Sequence, residues 1–222
     1  MLRTVAALSS LLVLAACNWS DAFDGPTIKG SGNLQTETRP VVRFTAINLS
    51  AAASLEIEQT GQESLDITAD DNLLSLYTSE VKDGTLYLSV AEGKSVSGKQ
   101  PRFKITAREL RKLNVSGVGS IKATNLDSDS LSISVSGVAN GSIAGRSDNL
   151  SLSVSGTGTL NAAELKAKRA KVVVSGIGQV TVNASDDLIA KVSGSGTIWY
   201  IGSPKLESSV SGVGSIKQKS AH

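Results

Sequence analysis

The dipeptide Ser-Gly recurs through the second half of the chain at a nearly constant interval, and this repeat restricts the possible folds more than any other feature. The spacings are 20, 19, 20, 18 and 18 residues between the serines at positions 116, 136, 155, 175, 193 and 211. The octapeptide Val-Ser-Gly-Val-Gly-Ser-Ile-Lys occurs twice, at 115–122 and at 210–217, which are 95 residues apart. One structural unit of about 19 residues is therefore repeated.

The residues around each Ser-Gly predict short strands joined by a corner. A valine precedes every one of these serines, and segments such as LSISVSG (131–137) alternate apolar and polar residues, as a half-buried strand does. The Gly-x-Gly that follows most of the serines indicates a corner, because glycine permits a positive φ or a close approach of two backbones. An aliphatic residue five positions after the serine continues the pattern, except in the second repeat. There Ile143 comes two residues late, which indicates an insertion around Asn140 and Gly141.

A unit of this size cannot bury its apolar face alone, so it becomes stable by stacking on its neighbours. We therefore predict an all-β fold, a parallel β-helix of stacked coils of about 19 residues, right-handed by the crossover rule. Adjacent coils would lie about 4.8 Å apart, with valine on valine and serine on serine. The regular repeats span 110–219, and a core of Val, Ile and Leu fits a chain with three Phe and three Tyr.

The segment 41–109 is less regular but carries the same pattern. FTAINLSAAASLEI (44–57) aligns with LRKLNVSGVGSIKA (110–123), which places Ser50 at the position of Ser116. We interpret 41–109 as the first, broader coils of one β-helical domain that covers 41–219. A small separate antiparallel subdomain is the alternative.

Several motifs resemble those of the GIN-domain family, whose name describes the heads of auto-transporter adhesins. They are GSGN (30–33), FTAINLS (44–50), ADDNLL (69–74), VKDGTLYL (81–88) and the recurring VSGxG, and the resemblance covers about 32–217. It implies a β-helical exported domain, often a lipoprotein, of largely unknown function. The family offers no catalytic residues to carry over.

The N-terminus has the features of a secretory signal peptide. Arg3 precedes an apolar run from Val5 to Ala16 that is too short to span a bilayer. LAAC (14–17) resembles the lipobox of bacterial lipoproteins, which predicts cleavage after residue 16 and lipidation of Cys17, the only cysteine. An ordinary signal peptide cleaved elsewhere is the alternative.

Residues 17–40 are predicted to be a lipidated tether, because Gly, Pro, Ser and Asp are scattered there without a period. Acyl chains on Cys17 would hold the domain on a membrane of the bacterial cell envelope. Asn18, where an Asp tends to mark inner-membrane retention, favours the outer membrane. The net charge of +2 gives no reason to expect nucleic acid as a partner.

The sequence argues against catalysis. Its one histidine is His222, so neither a Ser-His-Asp nor a Cys-His arrangement can be built. The enzyme alternative is a polysaccharide lyase-like β-helix that uses calcium and a basic residue. Basic clusters at 102–112 and 166–171 could bind an anionic glycan or a lipid head group, or could simply form a solvated face.

Two weak candidate sites remain. Asp129 and Asp148 both lie seven residues before a repeat serine, so they would stack as like charges that a Ca²⁺ ion could bridge. A solvated turn is the alternative, because Lys168 interrupts the row. Trp199 is adjacent to Tyr200, and alternation sends one of the two rings outward, where it could stack on a ligand. A cap over the end of the β-helix is the alternative role.

The sequence therefore predicts an envelope-anchored lipoprotein with a non-catalytic β-helical module for binding or adhesion, or a structural spacer. Its expected partners are the membrane, through the lipid anchor, and a glycan or a surface protein. No cofactor is expected apart from the Ca²⁺ considered above. Self-association through the ends of the coils is a further alternative.

Overall fold

The computed structural model of the chain describes residues 26–220. The predicted signal peptide, Cys17 and the first part of the tether lie outside these residues. The helical structure within 26–220 is a three-residue 3-10 helix, Leu74–Leu76. No helix in this range is long and apolar enough to cross a membrane.

Strands make up most of the described chain. Their bounds are β1 Ile28–Lys29, β2 Leu34–Arg39, β3 Ala46–Leu49, β4 Ala53–Gln59, β5 Ser64–Asp70, β6 Tyr77–Lys82, β7 Thr85–Val90, β8 Val96–Ser97, β9 Arg102–Ala107, β10 Lys112–Val115, β11 Val118–Val135, β12 Val138–Val154, β13 Thr157–Val174, β14 Ile177–Val192, β15 Ser195–Ile201, β16 Lys205–Val210 and β17 Ser215–Gln218.

The repeats stack as parallel coils, which confirms the predicted all-β parallel β-helix. The long strands β11 to β14 each bend around corners and pair with the next along almost their whole length. The register places Val135 against Val115 on one side and Val154 on the other. The result is a β-solenoid of about five turns. Its right-handed sense stays a prediction.

The serine of each motif marks the end of one flat side of the coil. The Ser136 amide donates to the carbonyl of Val115, and the Ser155 amide to that of Val135, both at 2.9 Å. Beyond each serine the backbones of two coils come so close that no side chain fits between them. A Cβ on Gly156 would lie well under 3.0 Å from the carbonyl oxygen of Gly137. Close approach, not a left-handed φ, is therefore what requires glycine at this corner.

The predicted insertion around Asn140 and Gly141 is wrong. Gly141 pairs with Ile121 and Ile143 pairs with Ala123, so the register between these two coils is unbroken at the predicted insertion. Gly141 occupies the aliphatic position, and Ile143 fills the next position that points into the core. The register shifts instead on both sides of β12, between Ala123 and Leu126 of β11 and between Asn161 and Glu164 of β13, so β12 is one residue shorter there than both neighbouring strands.

The core is one continuous cluster inside the coils. Successive layers contribute columns of aliphatic side chains at equivalent positions, and these are almost fully buried. The column three residues before the repeat serines consists of Leu113, Ile133, Leu152, Val172 and Ala190.

The chain does not add its first coils in sequence order. β3 and β4 form one layer, and the later strands β7 and β9 pair in parallel with them on one side. β10 and β11 then pair with β3 and β4 on the other side. The antiparallel strands β2, β5 and β6 complete this end of the solenoid.

A buried carboxylate holds the start of the described chain to this end. Both oxygens of Asp70 accept backbone N–H groups, from Gly32 and from Lys99, each at 2.9 Å. A Cβ on Gly30 or Gly98 would collide with the carboxylate, so the glycines make room for it. The GSGN and ADDNLL motifs therefore form one clamp.

Gly156→Ala should lower the free energy of unfolding by about 3 kcal/mol, because the new methyl group would push two stacked backbones apart. Urea unfolding measures the effect, read as a lower midpoint with an unchanged slope. Ser155→Ala is the matched control, since the Ser155 side chain is exposed. Equal midpoints for the two variants would contradict the close-packed corner.

Asp70→Asn should destabilise the fold by about 2 kcal/mol, because the new NH₂ group would face a backbone N–H instead of accepting from it. Asp129→Asn is the control, because Asp129 is exposed and lies outside the clamp. The midpoints of thermal unfolding of the two variants are compared. A loss in Asp129→Asn as large as that in Asp70→Asn would contradict the clamp.

Candidate ligand-binding groove

A groove of about 510 Å³ runs across four coils, at the corner where the strands enter the flat side that ends in the repeat serines. Three columns of side chains line it, with one residue from each coil. The middle column is Leu150, Ala170, Leu188 and Leu206, of which the first three are buried in the core and Leu206 is 39% exposed. One wall is Asn149, Arg169, Asp187 and Lys205, and the other is Ser151, Lys171, Ile189 and Glu207.

The parallel register makes these columns. Ala170 pairs with Leu150 on one side and with Leu188 on the other. The residues on either side of this buried column form the two walls, so Arg169 and Lys171 flank Ala170 on the same coil.

The walls of the groove carry three cations, Arg169, Lys171 and Lys205, and two carboxylates, Asp187 and Glu207. Arg169 donates from Nε to the Asn149 side-chain oxygen at 2.8 Å, and its other N–H groups remain for a ligand. Among the ion pairs of the described residues, none involves Arg169, Lys171 or Lys205. Asp187 and Glu207 alternate with these cations along the columns. The arrangement suits an elongated ligand with both apolar faces and polar or anionic groups.

Sequence reasoning grouped the basic residues at 166–171 but did not predict the groove. The fold divides the cluster, since Lys168 pairs with Asp148 while Arg169 and Lys171 line the groove. The cluster at 102–112 is partly neutralised instead. Arg102 lies 3.4 Å from Glu56, and Arg111 lies 2.6 Å from Glu109.

Asp129 and Asp148 occupy equivalent positions on adjacent coils, because the residues on either side of them are in register. Lys168 has the same position on the next coil, and its Nζ lies 2.8 Å from Oδ1 of Asp148. This ammonium offsets the like-charge repulsion that motivated a calcium site. The described residues contain no group of three or more His, Cys, Asp or Glu side chains placed to hold a metal ion. Calcium binding stays a prediction.

A second ion pair between coils was missed in the sequence. Arg146 donates from Nε to Oδ1 of Asp127 at 2.7 Å and from Nη2 to Oδ2 at 2.6 Å. This hydrogen bonding, with the positive charge of the guanidinium, lowers the pKa of Asp127. The two residues are 19 positions apart, which is one repeat, so a comparison of equivalent positions could have found the pair.

The two adjacent aromatic residues separate as alternation predicts. Tyr200 packs against the core, and Trp199 faces outward on β15. The Nζ of Lys217 on the next coil lies 5.6 Å from the centre of the Trp199 ring, so a cation covers part of the ring. Trp199 is not among the residues of the groove. Ligand binding by Trp199 stays a prediction.

The comparisons with known proteins agree with this architecture. The family described as "Putative auto-transporter adhesin, head GIN domain" matches residues 43–204. A crystal structure of a putative adhesin from Bacteroides fragilis is 28% identical, with a TM-score of 0.71, over 86% of this chain and 100% of that chain.

Two further structures share the fold. A putative adhesin from Parabacteroides distasonis is 22% identical, with a TM-score of 0.60, over 87% of this chain and 100% of that one. One from Parabacteroides merdae is also 22% identical, with a TM-score of 0.59, over 87% of this chain and 99% of the other. None of the curated proteins matches the chain.

Arg146→Gln should raise the pKa of Asp127 toward its ordinary value, because the hydrogen bond from the guanidinium is what holds it down. The depressed pKa stabilises the fold above the carboxyl's unfolded-state pKa, and this stabilisation is lost as pH falls through the folded-state value. NMR titration of the Asp127 carboxyl measures the change. Lys166→Gln, at the equivalent position on the next coil, should leave it unaltered.

Proposed function

Because the chain belongs to the family "Putative auto-transporter adhesin, head GIN domain", we propose that it is a non-catalytic adhesion module of the cell envelope, lipidated at Cys17. The match covers 43–204, and the B. fragilis protein of the same fold is itself a putative adhesin. The ligand that the groove suits best is an elongated acidic glycan. The observation that carries this choice is the set of three cations in the groove, Arg169, Lys171 and Lys205, that form no ion pair among the described residues.

The chemistry of the groove matches that of an acidic polysaccharide. Sugar rings have apolar C–H faces that can pack against Ile189 and Leu206, the apolar side chains of the groove that are not fully buried. Carboxylate groups of the chain would receive charge-assisted hydrogen bonds from Arg169, Lys171 and Lys205. Arg169 and Lys171 lie on one coil and Lys205 lies two coils further, so a polymer lying along the solenoid axis would meet these cations over about 10 Å.

The position of the groove also supports an adhesive role. The described chain enters through β1, which pairs with β8, the strand that lies between β7 and β9 in the sequence, near the antiparallel end. The groove lies toward the opposite end, where β16 forms the last layer of its side. Seven spacings separate β7 from β16, which is about 34 Å. A lipid at Cys17 would therefore leave the groove far from the membrane.

Replacing two groove cations should weaken glycan binding. We expect Arg169→Gln with Lys205→Gln to raise the Kd for alginate about tenfold or more, because two charge-assisted hydrogen bonds are lost. Isothermal titration of the chain from Asn18 onward measures the Kd. The matched control is Lys104→Gln with Lys122→Gln, which removes the same charge from exposed residues outside the groove.

Three outcomes would count against the proposal. Equal weakening in both double variants would mean that binding follows net charge and not the groove. Dextran bound as tightly as alginate would contradict the acidic ligand. Release of unsaturated products from alginate by the unaltered protein would contradict the absence of catalysis.

A further inference from the structure

The strand edges at the two ends of the solenoid differ in direction and in charge. At the end where the chain enters, the outermost strands β2 and β6 run antiparallel to their neighbours. Both carry charges, Glu37 and Arg39 on β2 and Glu80 and Lys82 on β6. The Arg39 guanidinium donates to the carbonyls of Tyr77 and Leu74 and so covers backbone acceptors there. Charged, irregular edges of this kind resist pairing with another chain.

The other end has an open parallel edge. Within residues 26–220, β16 pairs only with β14 and β17 only with β15. The inward row of β16 is Leu206, Ser208 and Val210, which stack on core residues of β14. Leu206 is 39% and Val210 46% exposed because nothing covers them. No charged side chain points inward along this strand.

The repeated octapeptide shows what such an edge can accept. Its first copy, at 115–122, has a coil on each side, since Val115 pairs with Leu49 and with Val135. The second copy, at 210–217, has a coil on one side only, through the pair Val210–Val192. The first copy of these eight residues therefore pairs with a coil along both strand edges, whereas the second copy pairs along one edge and leaves the other edge free.

We propose that the free edge binds a second copy of this chain, so that two solenoids join end to end through β16. Opposite residues in an antiparallel pair point to the same face, so the register must match inward residues with inward residues. A two-fold axis that passes through Ser208 places every inward residue of β16 opposite an inward residue of the second copy. Leu206 then lies opposite Val210 of the second copy, and Ser208 lies opposite itself.

The assembly stops at two copies. A head-to-tail stack would need a parallel edge at the opposite end, and β2 and β6 offer antiparallel, charged edges there. The contact is therefore isologous, with the same surface used by both copies, and it closes. Pairing would cover the apolar row of β16 and satisfy its free backbone groups.

Sedimentation of the chain from Asn18 onward, which keeps every described residue and lacks Cys17, tests the proposal. We expect a monomer–dimer equilibrium, with a Kd that rises about tenfold or more in Val210→Lys, since an inward ammonium would be desolvated at the joined edge. Ile177→Lys is the control, because Ile177 is 62% exposed on the side of the solenoid. Unchanged melting temperatures would show that both variants fold.

A crosslink tests the register. Ser208→Cys places the only thiol of that chain on the two-fold axis, where paired Cα atoms are about 4.5–5.5 Å apart and a disulfide can form. We expect an oxidised dimer, and none from Ser120→Cys on the outer wall. A monomer at every concentration, a dimer that Val210→Lys leaves intact, or polymers longer than two copies would each overturn the proposal.

Discussion

The backbone ladder between parallel coils is the interaction on which the rest of this structure depends. Each repeat serine donates its amide to an aliphatic residue's carbonyl on the neighbouring coil, Leu49 for Ser116 and a valine for the others, and the next residue is glycine because the two backbones almost touch there. This contact keeps the coils in register. Once the register holds, every side chain stacks on its counterpart one repeat earlier, and both core and surface become sets of columns.

The columns explain how a regular solenoid can carry local chemistry. One wall of the groove changes from Asn149 to Arg169, Asp187 and Lys205 on successive coils, so each layer presents a different group to a ligand. In the same way, Lys168 beside Asp148 and Arg146 beside Asp127 convert potential repulsion into ion pairs between coils. A change at one position of one repeat therefore alters one layer of a column.

Periodicity alone was enough to predict the parallel stack, the valine and serine columns, and the equivalent positions of Asp129 and Asp148. It failed where the register departs from a constant count. Gly141 was mistaken for part of an insertion because a glycine at an aliphatic position looks like a gap, whereas β12 has one residue fewer than the strands on both sides of it. The groove could not be predicted from the sequence either. It forms from residues one to three coils apart, and their alignment depends on these register shifts. The position of β7 and β9 outside β3 and β4 has no signal in the repeat at all.

The entry point of the chain gives the solenoid a direction. The described chain joins the layer of β7 and β9, while the open parallel edge is at the far end. Two molecules joined through that edge would have their N-termini at opposite ends of a rod about 70 Å long. Neighbours anchored side by side in one membrane could not easily adopt this geometry, whereas molecules on two facing membranes could. The asymmetry of the ends would then favour contact between cells over clustering on one cell.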